Sequence, residues 1–425
     1  MSASTITVDR RPLAVPAFRR LWVASVVCAV GGSFSLVAVP AQLFAMTGSS
    51  AAVGASGAVA LVALIVAALT AGALADARDR RGLLLAANAG LAVTYAMLWV
   101  QAALGLRSVP VLLVLVACQG LTLGAILTTT GAVVPRVVPA ELLPAANSLS
   151  HLVRYAGSIL GPILAGALIP LVGLATLYLF DAVALLAVLW AVAKLPPLPP
   201  GPSDAAARRP ATQVLAGFRY LAASRLLLAI VAVDLAAMVF GMPVAVFPEL
   251  AQDTYGGPPG GGPQLGLLYA AYPAGVFLAG LLSGTFTRAR RHGAVMASAA
   301  AAWGVTVVLL GLAADLWLAL TALVLGGAVN FVLSTYRNAI SQAHTDDALR
   351  GRVQGALVVV LLGGPQVANV LHGAAAAAYG PRFAICAGGL LTVVAVAAVA
   401  RAVPELRHYT AYASPTGAGT PAQRR

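Results

Sequence analysis

Apolar residues run through this chain in blocks of about twenty, separated by short polar joints. A hydrocarbon core of about 30 Å needs roughly 20 apolar residues per helical crossing. Runs of that length fall near 20–44, 53–75, 83–104, 110–134, 148–170, 174–194, 226–250, 264–286, 294–314, 316–337, 355–378 and 381–402. The pattern predicts an all-α membrane protein with twelve transmembrane helices. The joints inside 148–194 and 294–337 are the shortest. The first twenty residues are polar and basic, so 20–44 reads as a retained first helix rather than a cleaved leader.

The longest polar stretch between blocks is Lys194 to Arg225. Pro196, Pro197, Pro199, Pro200 and Pro202 end the sixth block and stiffen the chain beyond it. Val214, Leu215, Phe218 and Leu221 then recur at helical spacing, as expected of a short amphipathic helix over 213–223 on the membrane surface; a solvated linker is the alternative. The chain therefore divides into a tail (1–19), a six-helix bundle (20–194), a linker (195–225), a second six-helix bundle (226–402) and a polar tail (403–425) that reads as disordered. The two bundles echo one another. Asp76-Ala77-Arg78-Asp79-Arg80-Arg81-Gly82 comes after the second block, and Arg288-Ala289-Arg290-Arg291-His292-Gly293 after the eighth. Glu141-Leu142-Leu143 precedes the fifth block as Asp347-Ala348-Leu349 precedes the eleventh. Such matches half a chain apart suggest two six-helix pseudo-repeats.

Composition sharpens the class. Of 425 residues 60% are hydrophobic and 9% charged, against about 25% charged in soluble domains. The mean hydropathy is +0.92. The net charge of +13 could suggest nucleic acid, but its placement argues otherwise. With both termini cytoplasmic, all but Arg107 and Arg382 of the 26 Lys and Arg residues lie on the inner side, the asymmetry of an inner-membrane protein. Cys28, Cys118 and Cys386 each sit in an apolar run, and the histidines are scattered, so no metal site is expected. No phosphate-binding G-x-x-x-x-G-K-[ST] occurs and no catalytic groups cluster, which argues against an ATP-driven pump, a cofactor or an enzyme.

The stretch Gly72-x-x-x-Asp76-x-x-x-Arg80-Arg81 resembles the loop signature of the major facilitator superfamily. The resemblance implies that Gly72, Asp76, Arg78, Arg80 and Arg81 form a gating cluster at the inner mouth. Ala77 stands in place of a usual base and Asp79 in place of a usual glycine; an acid at that second position is typical of the enterobactin-exporter-like branch. Ala38-Val39-Pro40-Ala41-Gln42, Met46-Thr47, Leu215 to Leu221, Gly266 to Ala271 and Gly351-Arg352-Val353 resemble that branch in the same order. On helix five, Gly157, Gly161, Pro162 and Gly166 are similar to an antiporter motif; a generic small-residue packing face is the other reading. Gln119-Gly120 matches part of a drug-antiporter motif, but Val116 occupies its arginine position.

Ionisable groups inside spans cost about 3 kcal/mol or more, so the exceptions are informative. Asp234 is the first proton-coupling candidate, Asp181 the second and His372 the third; structural pairing is the competing role for each. Gln42, Asn88, Gln119, Arg154, Tyr269, Asn330, Gln366 and Asn369 are candidates to line a cargo cavity near the midplane. The expected function is secondary export of a moderately lipophilic siderophore, antibiotic or drug by proton antiport; a nutrient importer and a non-transporting sensor are the alternatives. Expected partners are a small-molecule cargo, protons and the bilayer, with a monomer as the working unit.

Overall fold

The structure, a computed structural model, describes residues 9–77, 79–198, 210–286, 289–345 and 347–410. Among these, ten helical stretches are long and apolar enough to cross a bilayer. One of them, Ala140–Ala193, is 54 residues long. At 1.5 Å per residue it reaches about 80 Å, enough for two crossings. It turns at Gly173, whose φ of 78° and ψ of 163° suit a residue without Cβ. A further crossing is split into two shorter pieces, Pro16–Gly31 (α1) and Ser35–Thr47 (α2). The total is consistent with the twelve crossings expected.

The remaining helices are α3 (Ser50–Ala77), α4 (Arg80–Ala103), α5 (Val109–Val137), α6 (Leu143–Ala193), α7 (Pro210–Ala223), α8 (Arg225–Gly241), α9 (Phe247–Glu249), α10 (Pro263–Leu281), α11 (His292–Leu312), α12 (Leu316–Ala343), α13 (Asp347–Tyr379), α14 (Pro381–Ala402) and α15 (Pro404–His408). Several outrun the apolar blocks. The tenth block ends at 337, whereas α12 runs to Ala343; the eleventh begins at 355, whereas α13 starts at Asp347. Hydropathy marks the hydrocarbon, but a helix continues into the headgroup layer, where polar side chains are solvated.

Packing sorts the helices into two groups. α6 lies against α1, α2 and α4, and α5 against α3 and α4. In the second group α12 lies against α10 and α11, and α14 against α8, α11 and α13. The groups meet along α3–α13 and α6–α10. Outward faces stay greasy: Leu171 is 78% exposed and Leu312 64%. On a soluble protein such surface would be a liability; against lipid tails it is the expected exterior.

The helix expected in the linker is α7. Gly217 lets it lie against the α13 backbone at Arg352, and Leu221 is buried. Residues 199–209 and 411–425, which include Pro199, Pro200 and Pro202 of the linker and the last part of the polar tail, lie outside the described residues; the first part of that tail, expected to be disordered, includes the short helix α15.

Candidate functional site

The first crossing breaks at Gly32-Ser33-Phe34, and the seventh breaks after Gly241 at Met242-Pro243. Hydropathy predicts continuous helices over 20–44 and 226–250, and the structure corrects both. The breaks occupy corresponding places in the two halves. A break frees backbone amides that need partners in a low-dielectric interior. At the first, Asp181 supplies them. Its Oδ1 accepts from Phe34 N–H at 3.1 Å and its Oδ2 from Ser35 N–H at 2.7 Å, with the Ser35 hydroxyl also donating to Oδ2. Asp181 is fully buried, and its negative charge faces the N-terminus of α2, the favourable end of that helix. At the second break, Asn369 Oδ1 accepts from Ala245 N–H at 3.2 Å.

A cavity of about 170 Å³ lies beside both breaks. Its lining includes Ser35, Leu36, Val39 and Pro40 from α2, Val244 and Ala245 beyond α8, Ser56 and Gly57 of α3, Gln119 of α5, Tyr269 of α10, and Gln366 and Asn369 of α13. A second cavity of about 290 Å³ shares Ala60, Val116, Gln119 and Gln366 and continues past Leu64, Leu127 and Leu362, toward the end that carries the basic joints. Among the described residues neither lining contains a charged side chain. The polar groups are neutral and mostly paired: Asn369 Nδ2 donates to Gln366 Oε1 at 3.2 Å, and Gln119 Nε2 to the Tyr95 hydroxyl at 3.4 Å. Tyr269 differs. Its ring meets Phe247 edge-on at 5.4 Å, but its buried hydroxyl has no hydrogen-bond partner among the described residues.

Of the eight cavity candidates, Gln119, Tyr269, Gln366 and Asn369 meet here. Gln42 instead accepts from Tyr178 Oη at 2.8 Å and from Gln101 Nε2 at 3.0 Å within the first half. Asn88 donates to the Leu84 carbonyl of its own helix at 2.8 Å. Asn330 accepts from the Tyr272 hydroxyl at 2.9 Å. Arg154 is exposed beside His151.

The ionisable candidates are not in the cavity lining. Both Asp234 oxygens lie 2.8 Å from Arg337 Nη1, and the pair is buried. Asn338 Oδ1 accepts from the remaining guanidinium nitrogens at 3.3 and 3.2 Å. His372 Nε2 lies 3.0 Å from the Phe240 carbonyl, beside the second break. The apolar pattern puts Arg337 at an inner helix end; because α12 continues for six more residues, it is buried instead.

The helix-five glycines have two neighbours. Gly157 and Gly161 face Ala29 and Ser33 in the same half. Gly166 faces the other half, where an added Cβ would come within 2.6 Å of the Gly262 carbonyl oxygen and 2.8 Å of Gly266 Cα, and the Pro162 carbonyl presses on Gly266. On the opposite side of the cavity, Gly54 and Gly373 bring α3 and α13 equally close, and the Ser50 hydroxyl donates to Glu249 Oε2 across the halves. The contacts of Gly166, Gly54, Gly373 and Ser50 lie between the cavity and the end poor in charge. Sequence reasoning misses Glu249 and Ser50, although Glu249 falls inside the apolar block 226–250.

In the joint between α3 and α4, Asp79 Oδ1 accepts from Arg81 N–H at 3.1 Å, capping α4, and from Leu198 N–H at 2.8 Å. Arg81 Nη2 donates to the Ala193 carbonyl at 2.6 Å, and Arg80 N–H to the Leu198 carbonyl at 3.2 Å. The acid that replaces a glycine thus ties α4 to the chain leaving α6. Arg78 and the Asp76 side chain lie outside the described residues, as do the surroundings of Gly72.

The chain is 28% identical over 394 residues to the enterobactin exporter of Escherichia coli K12, and 29% over 398 residues to that of Shigella flexneri, covering 93% of each chain. Among solved structures it resembles a bacterial homologue of the human lysosomal transporter Spinster, with a TM-score of 0.71, 14% identity and coverage of 94% of this chain and 99% of that one. The nucleoside transporter NupG gives 0.68 at 16% identity, covering 91% and 98%. These two likenesses share the major facilitator fold. The family model described as transmembrane secretion effector matches residues 8–418, and the chain belongs to that family of major facilitator transporters.

Proposed function

We propose that this transporter exports a siderophore-class molecule by alternating access, with protons as the coupling ion. The observation that carries the reading is the neutral cavity set between two broken helices in corresponding positions of the halves, the arrangement of a midplane cargo site. The exporter names of its relatives support the direction and the siderophore class. Its uncharged lining suits a moderately lipophilic cargo. The seal on the charge-poor side and the continuation of the cavity toward the basic end support a state open to the cytoplasm, if the basic end is the inner one. Asp234, Asp181 and His372 are the coupling candidates, with Asp234 first.

Enterobactin is the first probe to try. In cells lacking their own exporter, expression of this protein should raise enterobactin in the medium and lower it inside, and a protonophore should abolish the difference. Accumulation inside the cell would reverse the direction, and no flux in either direction would dismiss transport of this cargo. Tyr269→Phe should weaken apparent cargo affinity about five- to tenfold, because one buried hydrogen bond contributes about 1 kcal/mol. Stability should hold or rise, since the hydroxyl removed has no partner among the described residues. Unchanged affinity would remove Tyr269 from the site.

Orientation has its own check. Epitope tags inserted at 205 and at 260 should be accessible from opposite faces of the membrane, the former from the cytoplasm. Tags on one face would dismantle the even count of crossings.

A further inference from the structure

Beyond α14 the chain does not leave the bundle at once. Pro404 starts the short α15, whose Leu406 is fully buried against α11. Gly293, in the first turn of α11, sits against the Leu406 carbonyl, and its N–H reaches the Tyr409 carbonyl at 3.4 Å. The fold-back leaves a cavity of about 320 Å³ lined by Arg291, Ala294, Ala297, Ala400, Arg407 and His408.

Its chemistry is unlike that of the cargo cavity. Two guanidinium groups and an imidazole share one small space, and among the described residues no acid lines it. Neither Arg291 nor Arg407 forms an ion pair or a side-chain hydrogen bond with another described residue. The His408 Nδ1 lies 2.9 Å from the Pro404 carbonyl, which leaves Nε2 for another partner. Clustered cations with no counter-ion repel one another, so an anion stabilises the cluster. Guanidinium matches phosphate oxygens in a two-pronged geometry that few other anions exploit as well. Alanines 294, 297 and 400 form an apolar wall next to the charges. That combination suits a ligand with a charged head and greasy neighbours.

We propose that this cavity binds a phosphate group, presented by the headgroup of an anionic phospholipid, between α11 and α15. The site lies outside the cargo path, and it holds whether or not the cargo is a siderophore. A lipid there clamps α15 beneath the second half at the bilayer surface.

The test uses the full-length protein in detergent, titrated with phosphatidylglycerol, phosphatidylcholine or inorganic phosphate and monitored by native mass spectrometry. One phosphatidylglycerol should be retained while phosphatidylcholine is lost. Arg291→Gln with Arg407→Gln should weaken retention by tenfold or more. Arg19→Gln with Arg352→Gln removes the same charge from exposed sites elsewhere and should leave retention unchanged. Competition by millimolar inorganic phosphate would assign the site to the free anion, and its absence to the headgroup; both keep the phosphate site. Equal loss in the two double variants would reduce the effect to general surface charge and overturn the proposal, as would failure of both phosphate sources to bind. The substituted side chains are exposed, and a thermal melt of each variant separates lost binding from lost folding.

Discussion

Arg337→Leu is expected to destabilise the protein by about 3–5 kcal/mol, because it leaves the Asp234 carboxylate buried without its partner. Both Asp234 oxygens rest on one guanidinium nitrogen, and both residues are almost fully buried. Asp234→Asn is the milder change: the amide oxygen still accepts from Arg337, and Asn338 continues to hold the rest of the guanidinium. Removing both charges, as Asp234→Asn with Arg337→Leu, should recover most of what Arg337→Leu loses, since no uncompensated charge remains. Melting temperature in detergent and the amount reaching the membrane report these differences. Transport separates them again. If Asp234 exchanges the coupling proton, Asp234→Asn and the double variant are well folded yet show no pH-driven efflux. Wild-type pH-driven efflux by Asp234→Asn would reduce the pair to a structural clamp.

The two leading carboxylates sit differently with respect to the motion a transporter needs. Asp181 bonds to Phe34 and Ser35, and Asp234 to Arg337, so each pair lies within one half. Rocking of the halves as rigid bodies leaves both pairs intact. Asp181 nevertheless has a route to the cavity: Ser35, which it holds, lines the cavity wall. Protonation of Asp181 would leave one oxygen a poorer acceptor for the freed amides at the first break. Asp234 has no such link among the described residues.

How much of this is legible in the amino-acid order depends on the quantity each signal measures. Hydropathy over twenty residues reports bilayer thickness, and it locates the crossings to within a few residues. It is blind to a backbone that stops being helical inside an apolar block. The break at 32–34 has a local cue in Gly31-Gly32-Ser33, and the break after Gly241 has Pro243, but glycine and proline are common enough in membrane helices to pass as kinks. The partner of Asp181 lies 146 residues away in sequence, and no spacing rule reaches that far. Arg337 reads as an interfacial residue because a hydrophobic window ends there. The helix does not end there, and an arginine six residues inside its terminus is buried if a carboxylate on a neighbouring helix faces it. Three of the four polar cavity residues that converge, Gln119, Gln366 and Asn369, lie well inside their blocks, where a polar side chain must face protein or cavity rather than lipid, whereas Tyr269 lies near the start of its block.

Gly166→Leu should prise the halves apart at the charge-poor end. A Cβ there already meets the Gly262 carbonyl and Gly266 Cα inside contact distance, and leucine adds three more carbons. Overpacking of this kind costs about 1–3 kcal/mol. If only the closed state carries that cost, the open-to-closed ratio rises by about five- to 150-fold. Ser50→Ala, which removes the hydroxyl donated to Glu249, should push the same way by about two- to tenfold, the equivalent of one hydrogen bond. Spin labels at Leu104 and Tyr379, exposed at that end on opposite halves, report the separation once Cys28, Cys118 and Cys386 are replaced. The distance should lengthen in both variants, more in Gly166→Leu, while efflux falls because the closed state is disfavoured. Gly157→Leu is the control. It belongs to the same motif but packs on Ala29 within its own half, so it should lower stability without lengthening the distance. If Gly166→Leu keeps the short distance and full efflux, the α6–α10 contact is not where the halves part. If Gly157→Leu opens the end equally, the motif acts through general loosening of the bundle, and the division of labour between its glycines fails.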